Sequence, residues 1–327
     1  TALMWAVAER HPEAVKALLA AGADPAVKSG PAGLPQNYVA PRLNVRSVEE
    51  ARERRKRAAA AGRTYEEQLA RERREGVAAT GPQARLPADD NGDDNVPVVA
   101  GLVGSGGGGL TALVFAAREG DIESARALLD ARDDFNQTTE YGWTPLLTAV
   151  NNRNYALAKL LIERGADVNA ANKGGWTPLY LATDNRNIEG GDYPVPKPDL
   201  DHLDIIRALL DKGANPNAAI RENTLTRTIF TMQWFFEDGA TAFVRASQSS
   251  DTELMKLLLK YKADPKIATA NGDTALTASA GIGWVEGVTY ERSAKENFEA
   301  IKMLVDDLGM DPNQANNEGR SPLMGAA

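Results

Sequence analysis

The side chains that most often carry catalysis are scarce in this 327-residue chain. It contains no cysteine, and its two histidines, His11 and His202, are far apart in the sequence. The lack of cysteine excludes disulfides, thiolate nucleophiles and cysteine-ligated metals. The sequence also has no nucleophile elbow, zinc-protease helix or paired-carboxylate motif. We therefore predict no catalytic residue, no metal site, no cofactor and no enzymatic activity.

Two polar stretches resemble ligand-binding loops but have the wrong spacing. "DDNGDDN" at residues 89–95 is acidic, yet it does not match the alternating ligands and distal Glu of a calcium loop. "GSGGGG" at residues 104–109 is rich in glycine, but the Lys-Ser/Thr pair of a phosphate-binding loop does not follow it. The first stretch fits a solvated loop, and the second fits a flexible connection.

The elements that would position any site are defined by an internal repeat. "WTPLLTAV" and "WTPLYLAT" are spaced by 33 residues, and each begins a helix signal in which Thr caps the start and Pro occupies the first turn. A second apolar helix, "YALAKLLIE", follows, and Gly165 supplies a left-handed end to it. One such pair of helices cannot bury its own apolar face, so copies must stack. The copies begin at Thr1, Thr111, Thr144, Thr177, Thr241, Thr274 and Ser321.

The repeat resembles the ankyrin repeat, whose phrase is T-P-L-H-x-A-A followed by L-L-x-x-G-A-D-x-N. "WTPLLTAV" and "ERGADVN" carry the resemblance. It implies an all-α fold, namely an ankyrin-repeat solenoid of helix-turn-helix units with hairpin-like turns, interrupted here by long insertions. It also implies a scaffold that binds a protein partner through its concave groove and turn tips. The family's His after T-P-L is replaced in every copy, as in a divergent bacterial subfamily. Members of that subfamily are often exported, which favours a periplasmic or secreted location, but the sequence leaves the compartment open.

The repeat register divides the chain into three parts. Residues 1–30 form one repeat, residues 31–108 an insertion, and residues 109–327 about five further repeats with the last one truncated. Within the third part, loop insertions fall at 188–202, 218–238 and 282–295. Because the chain starts at an anchoring Thr and stops inside a first helix, we expect it to be a piece of a longer polypeptide.

Residues 46–76 of the insertion read as a charged helical hairpin. Two capping boxes open its helices, and ten basic residues alternate with seven acidic ones. This small basic excess, the presence of a single aromatic residue (Tyr65) and the chain's net charge of −8 argue against nucleic-acid binding. No apolar run approaches the roughly 18 residues of a membrane-spanning helix.

Both histidines fit a structural position in the repeat. Each falls at the turn that opens the second helix, where other copies carry a good N-cap residue. His is also a common residue there in the ankyrin family. The residues at the corresponding position of the other copies are Asp121, Asn154, Asp251 and Asn297.

The candidate binding site lies around the two tryptophans that precede the anchoring Thr. The resemblance places this position on the turn that faces the groove, where residues vary to suit partners, and aromatic rings flanked by amides are typical of interaction hot spots. The predicted binding residues are Tyr141, Trp143, Asn151, Asn152, Trp176, Tyr180, Asp184 and Asn185. The alternative is that inserted loops fold over the rings and bury them.

Two other functions remain open at this stage. In one, the tryptophan pair stacks on a sugar or another flat molecule, and the chain is a ligand module of a larger protein. In the other, the array self-associates into an assembly. The sequence does not identify the partner in any of these cases.

Overall fold

The computed structural model describes residues 1–30, 108–131, 134–188, 197–221, 238–284 and 289–326, together with six isolated positions between 57 and 74. These residues are helical, without extended strands, as the sequence predicts. The helices are α1 (Ala2–Ala8), α2 (Pro12–Ala20), α3 (Ala112–Glu119), α4 (Ile122–Asp130), α5 (Pro145–Asn151), α6 (Tyr155–Glu163), α7 (Pro178–Arg186), α8 (His202–Asp211), α9 (Ala242–Gln248), α10 (Thr252–Lys260), α11 (Ala275–Ser279), α12 (Ala294–Lys302) and α13 (Pro322–Gly325). A π-helical turn, Met303–Asp307, continues α12.

The repeated Thr starts each first helix in the way the spacing predicts. Its side-chain oxygen accepts a hydrogen bond from the backbone N–H three residues later, which satisfies one of the free donors of a helix start. In α5 the Thr144 hydroxyl accepts from Leu147 at 3.1 Å, and in α7 Thr177 accepts from Tyr180 at 3.2 Å. The same bond forms at Thr1, Thr111, Thr241 and Thr274.

The odd-numbered helices form one layer and the even-numbered helices a second layer. Each odd-numbered helix packs against the next, from α1 through α13, and each of them from α1 to α11 also pairs with the second helix of its own copy. Leu and Ala side chains of both layers merge into one hydrophobic core, in which Leu113, Leu146 and Leu179 are fully buried at equivalent positions. The core is therefore continuous along the stack, as expected when each copy buries its apolar face on its neighbours.

Short hairpin turns connect successive copies, and their tips are hydrogen-bonded to one another. The N–H of Lys173 donates to Tyr141 O at 3.0 Å, Arg221 N–H donates to Gly174 O at 2.8 Å, and Asn317 N–H donates to Asn271 O at 2.8 Å. We call this row of turns the tip strip, and it consists of residues 139–142, 172–175, 220–221, 238–239, 269–272 and 316–319. Its backbone groups are satisfied by one another, so the tips are held at fixed spacing.

The turn between the two helices of a copy has its own recurring conformation. Arg10, Gly120, Arg153 and Ser250 each adopt a positive φ, between 51° and 70°. A side chain in this region of backbone space is uncommon, and its recurrence at one register position means that the turn demands it. Two copies lack this tight turn, because insertions follow α7 and α11.

The ends of the insertions meet in the array. Ser29 N–H donates to Leu110 O at 2.8 Å, so the described residues on the two sides of the 31–108 insertion are hydrogen-bonded to each other. Ile220 and Ala240 pair in the same way around 222–237. The predicted charged hairpin at 46–76 and the acidic stretch at 89–95 lie outside the described residues, apart from the isolated positions. Among those, Arg57 Nη1 lies 3.4 Å from the carboxylate of Glu72.

Two compact units make up the chain. One consists of residues 1–34 and 101–327, and the other of residues 35–100. Over the part of the chain that the structure covers, no helix has both the length and the apolar character needed to cross a membrane.

Candidate functional site

The expectation that the two tryptophans face a partner is wrong. Trp143 and Trp176 are each 2% exposed and belong to the hydrophobic core. The residue before the anchoring Thr closes the hairpin turn, since Thr139 N–H donates to Trp143 O at 3.0 Å and Asn172 N–H donates to Trp176 O at 3.1 Å. With the backbone paired in this way, the indole rings pack inward, and Trp176 contacts Tyr180 edge to face at 4.9 Å. The rings are buried, but in the hydrophobic core of the repeats, which is not the burial under inserted loops that the alternative describes. A sugar cannot stack on rings buried in this way.

Three more of the predicted binding residues, Tyr180, Asp184 and Asn185, are buried as well. Asp184 forms an ion pair with Arg245 at 2.7 Å, and the amide of Asn185 donates to a backbone carbonyl at 2.7 Å. Both side chains therefore bond to groups within the array and are not available to a ligand. The remaining predicted residues, Tyr141, Asn151 and Asn152, are half-buried.

Tyr141 is the predicted binding residue that lies on the tip strip. The ammonium of Lys173 sits 5.7 Å from the centre of its ring, within the range of a cation–π contact. Lys173, Glu140 and Arg221 on the same strip are exposed. The strip thus presents one aromatic ring among charges of both signs.

A buried ionic network lies at the opposite end of the helices. The carboxylate of Asp251 receives Arg186 at 2.7 Å and Arg292 at 3.0 Å, and it also caps α10. Arg245, which pairs with Asp184, donates a further bond to Asn187 O at 2.9 Å. These cations are paired and hydrogen-bonded, which a buried charge requires. The network joins α7, the turn between α9 and α10, and the insertion that precedes α12.

The two histidines have structural positions, as predicted, but they do not cap their helices. His11 precedes α2 and its exposed side chain makes no capping bond, whereas His202 is the first residue of α8 and the capping side chain is that of Asp201. Among the other predicted caps, Asp121 and Asp251 do cap their helices. Asn154 instead donates to carbonyls at the end of α3. Asn297 lies inside α12, and that assignment is wrong because the insertion places Ser293 at the cap.

His202 is half-buried against Tyr155. Its Nδ1 lies 2.8 Å from the Tyr155 hydroxyl, and the two rings meet edge to face at 5.3 Å. Burial, together with the nearby positive charges of Arg153 and Arg186, lowers the pKa of His202 from its ordinary 6.5 to about 4. A neutral imidazole in this setting is a packing residue, and no group of three or more metal-ligating side chains occurs among the described residues.

The concave feature beside the ionic network is a pocket of about 320 Å³. Its walls come from the turn between α9 and α10, the end of α11, and the insertion between α11 and α12. Trp284 and Tyr290 line it and are 40% and 44% exposed. Sequence reasoning missed both residues. The signal that could have found them is that these aromatics and Arg292 stand close together in an insertion that the repeat does not need.

Comparison with known proteins identifies ankyrin repeats in this chain. Models of the ankyrin repeat match residues 1–29, and models of ankyrin repeats in three copies match residues 91–172 and 113–220. No curated protein matches the chain. One solved structure that is similar is that of EF0377, described as an ankyrin repeat protein. The two sequences are 24% identical, and the matched region covers 65% of this chain and 89% of the EF0377 chain. The TM-score of the superposition is 0.48.

Proposed function

This chain is an ankyrin-repeat protein, and we propose that it is a scaffold that binds a protein partner along its tip strip, with Tyr141 and Lys173 at the contact. Ankyrin repeats are generally protein–protein interaction modules, and the family is generally non-catalytic. The tip strip is the surface that best supports the proposal, since the tryptophan pair on which the sequence analysis centred is buried.

The observation that carries the proposal is the hydrogen bonding between neighbouring tips. Backbone bonds of 2.6–3.0 Å join residue 108 to the tip at 140, and they join the tips at 141 and 173, 174 and 221, 238 and 270, and 271 and 317. A loop that is already ordered loses little conformational freedom when a partner binds. The strip therefore offers side chains at fixed spacing over the length of the array.

The chemistry of the strip favours a partner with a mixed polar surface. Glu140 and Asp238 are exposed acidic residues, while Lys173 and Arg221 are exposed basic residues. Alternating charges fix the register of a protein–protein contact, and a half-buried Tyr supplies the type of side chain that is enriched in hot spots. Asn151 and Asn152 lie at the end of α5 that is away from the tip strip. We propose them as a second set of partner-binding residues, on the layer of odd-numbered helices.

A matched pair of double variants tests this proposal. Tyr141→Ala with Lys173→Ala removes the tip contact. Lys260→Ala with Tyr261→Ala removes a similar stacked pair, with 6.0 Å between ammonium and ring, from the end of the second-layer helix α10. The wild type and both variants are immobilised and exposed to an extract of the source cells, and the retained proteins are quantified by mass spectrometry. The candidate partner is then purified and its affinity measured by calorimetry.

We expect the tip variant to bind the partner about tenfold more weakly or worse, which corresponds to about 1.4 kcal/mol, while the control variant binds like the wild type. A partner that binds both variants equally well would show that the strip is not the interface. Self-association stays a separate prediction. A molecular mass that rises with protein concentration in the absence of any partner would support it.

A further inference from the structure

The pocket beside the ionic network is a built feature, because bonds between distant parts of the chain fix its walls. The amide of Gln248 donates to Gly283 O at 2.7 Å, the hydroxyl of Ser279 donates to Ser247 O at 2.8 Å, and Tyr290 N–H donates to Asn187 O at 3.1 Å. The pocket is therefore pre-formed, as most small-molecule sites are.

Two aromatic rings on the rim of this pocket remain accessible. Trp284 and Tyr290 are 40% and 44% exposed, although a buried ring of either kind contributes strongly to packing. The guanidinium of Arg292 lies 5.0 Å from the centre of the Tyr290 ring and holds that ring in place. Accessible rings held in this way present flat apolar surface to whatever enters the pocket.

The floor of the pocket offers hydrogen-bonding groups. Ser250 is 2% exposed and lines the pocket. Asn297, on α12, also lines the pocket and is exposed. The hydroxyl of Ser250 and the amide of Asn297 are both able to form hydrogen bonds with a ligand hydroxyl.

The charges around the pocket favour a neutral occupant. The positive charge of Arg292 is balanced by Asp251 at 3.0 Å and by Glu296 at 3.8 Å. The lining also contains the carboxylate of Glu291. Since carboxylates pair with the Arg292 guanidinium, it offers a phosphate or carboxylate little unbalanced positive charge.

From these observations we propose that the pocket binds a neutral, polyhydroxylated small molecule, of the class of mono- and disaccharides. Such a ligand has apolar C–H faces that stack on Trp284 and Tyr290, and hydroxyls that pair with Ser250 and Asn297. The volume of about 320 Å³ is at the lower end of the roughly 300–1,000 Å³ of small-molecule sites, which fits such a ligand better than a peptide segment. This function is independent of the proposed protein-binding strip, which lies at the other end of the helices.

The test uses the whole chain and a panel of neutral sugars, namely glucose, galactose, N-acetylglucosamine and disaccharides of each. Glucuronate and glucose 6-phosphate serve as charged counterparts. Binding is followed by saturation-transfer NMR and by the fluorescence of Trp284. We expect at least one neutral sugar to bind at millimolar concentration or below, and its charged counterpart to bind more weakly.

Variants of the lining then locate the site. Trp284→Ala is expected to weaken binding about tenfold, and Ser250→Gly, which removes the hydroxyl but suits the positive φ, is also expected to weaken it. Trp5→Ala is the matched control, since Trp5 is 70% exposed on α1 and does not line this pocket. The proposal is overturned if no neutral sugar binds, if a charged counterpart binds better, or if Trp284→Ala binds as tightly as the wild type.

Discussion

His202 makes the stability of the array depend on pH in a direction that its surroundings determine. The ring is half-buried against Tyr155, and burial together with the charges of Arg153 and Arg186 lowers its pKa to about 4, whereas the carboxylates of Asp201 and Asp251 act in the opposite sense. The unfolded chain, with a pKa of 6.5, therefore binds the proton more tightly than the folded chain. The stabilisation from neutral His202 is fully present above 6.5, is lost as the pH falls from 6.5 towards 4, and does not decline further below that range.

The size of the effect follows from the difference between the two pKa values. A difference of about 2.5 units corresponds to about 3 kcal/mol at about 1.4 kcal/mol per unit. Because the ring is only half-buried, solvent screening reduces the expected contribution to about 1–2 kcal/mol. Most of it should be lost by about pH 4.5.

The assay compares denaturant midpoints at neutral pH and at about pH 4.5 for the wild type, His202→Gln and His11→Gln. Carboxylates also titrate in this range, so the informative quantity is the difference between variants. We expect the wild type and His11→Gln to lose about 1–2 kcal/mol more than His202→Gln does. An NMR titration of the wild type measures the pKa of the ring directly. A His202 ring that titrates near its ordinary value, or a His202→Gln variant with the same loss as the wild type, would refute the reasoning.

Three further predictions follow from burial and from the ends of the large insertion. Arg245→Met leaves Asp184 buried without its cation and should lower the free energy of unfolding by about 3–5 kcal/mol. The control Arg164→Met removes an exposed ion pair and should lower it by less than about 1 kcal/mol. Both values are measured by denaturant unfolding. Trp143→Ala should cost about 3–5 kcal/mol because the ring lies in the core, and a cost near zero would mean that the ring is solvent-facing. Replacing residues 31–108 with a short Gly-Ser bridge should leave the melting temperature of the repeats nearly unchanged, and a large drop in calorimetry would show instead that the insertion stabilises the repeats.

The sequence predicts the parts of this fold that depend on local chemistry. Thr144 and Thr177 cap their helices because an N-cap needs only a hydroxyl and the next three residues, and these are visible in the phrase itself. Gly165 ends α6 with a φ of 96° for an equally local reason. The family resemblance then predicts how such units stack. The family models of the ankyrin repeat match this sequence and confirm the resemblance.

The candidate site could not be predicted in the same way, because it depends on contacts between distant residues. The sequence places Trp143 after a turn, but this position is compatible with a ring that faces either the groove or the core. The backbone pairing of Trp143 with Thr139 across the hairpin is a contact between residues, and with it the ring lies in the core. The pocket brings Ser250 together with Tyr290 through an insertion whose path no repeat defines. Aromatic residues in an insertion indicate that something packs there, but they do not indicate what.

The contact between the two insertions has a consequence for how the array unfolds. A backbone bridge joins Ile188 to Thr289, and Arg292 donates to Asn187, which is 105 residues away. Both contacts bypass the copy that begins at Thr241. In a simple repeat array each unit contacts only its neighbours, so the array can fray from its ends or break in the middle. Here the bypass ties the copies on either side of Thr241 into one cooperative block. The same long-range contact raises the contact order of this half of the chain, so the block is expected to fold more slowly than an uninterrupted array of the same length.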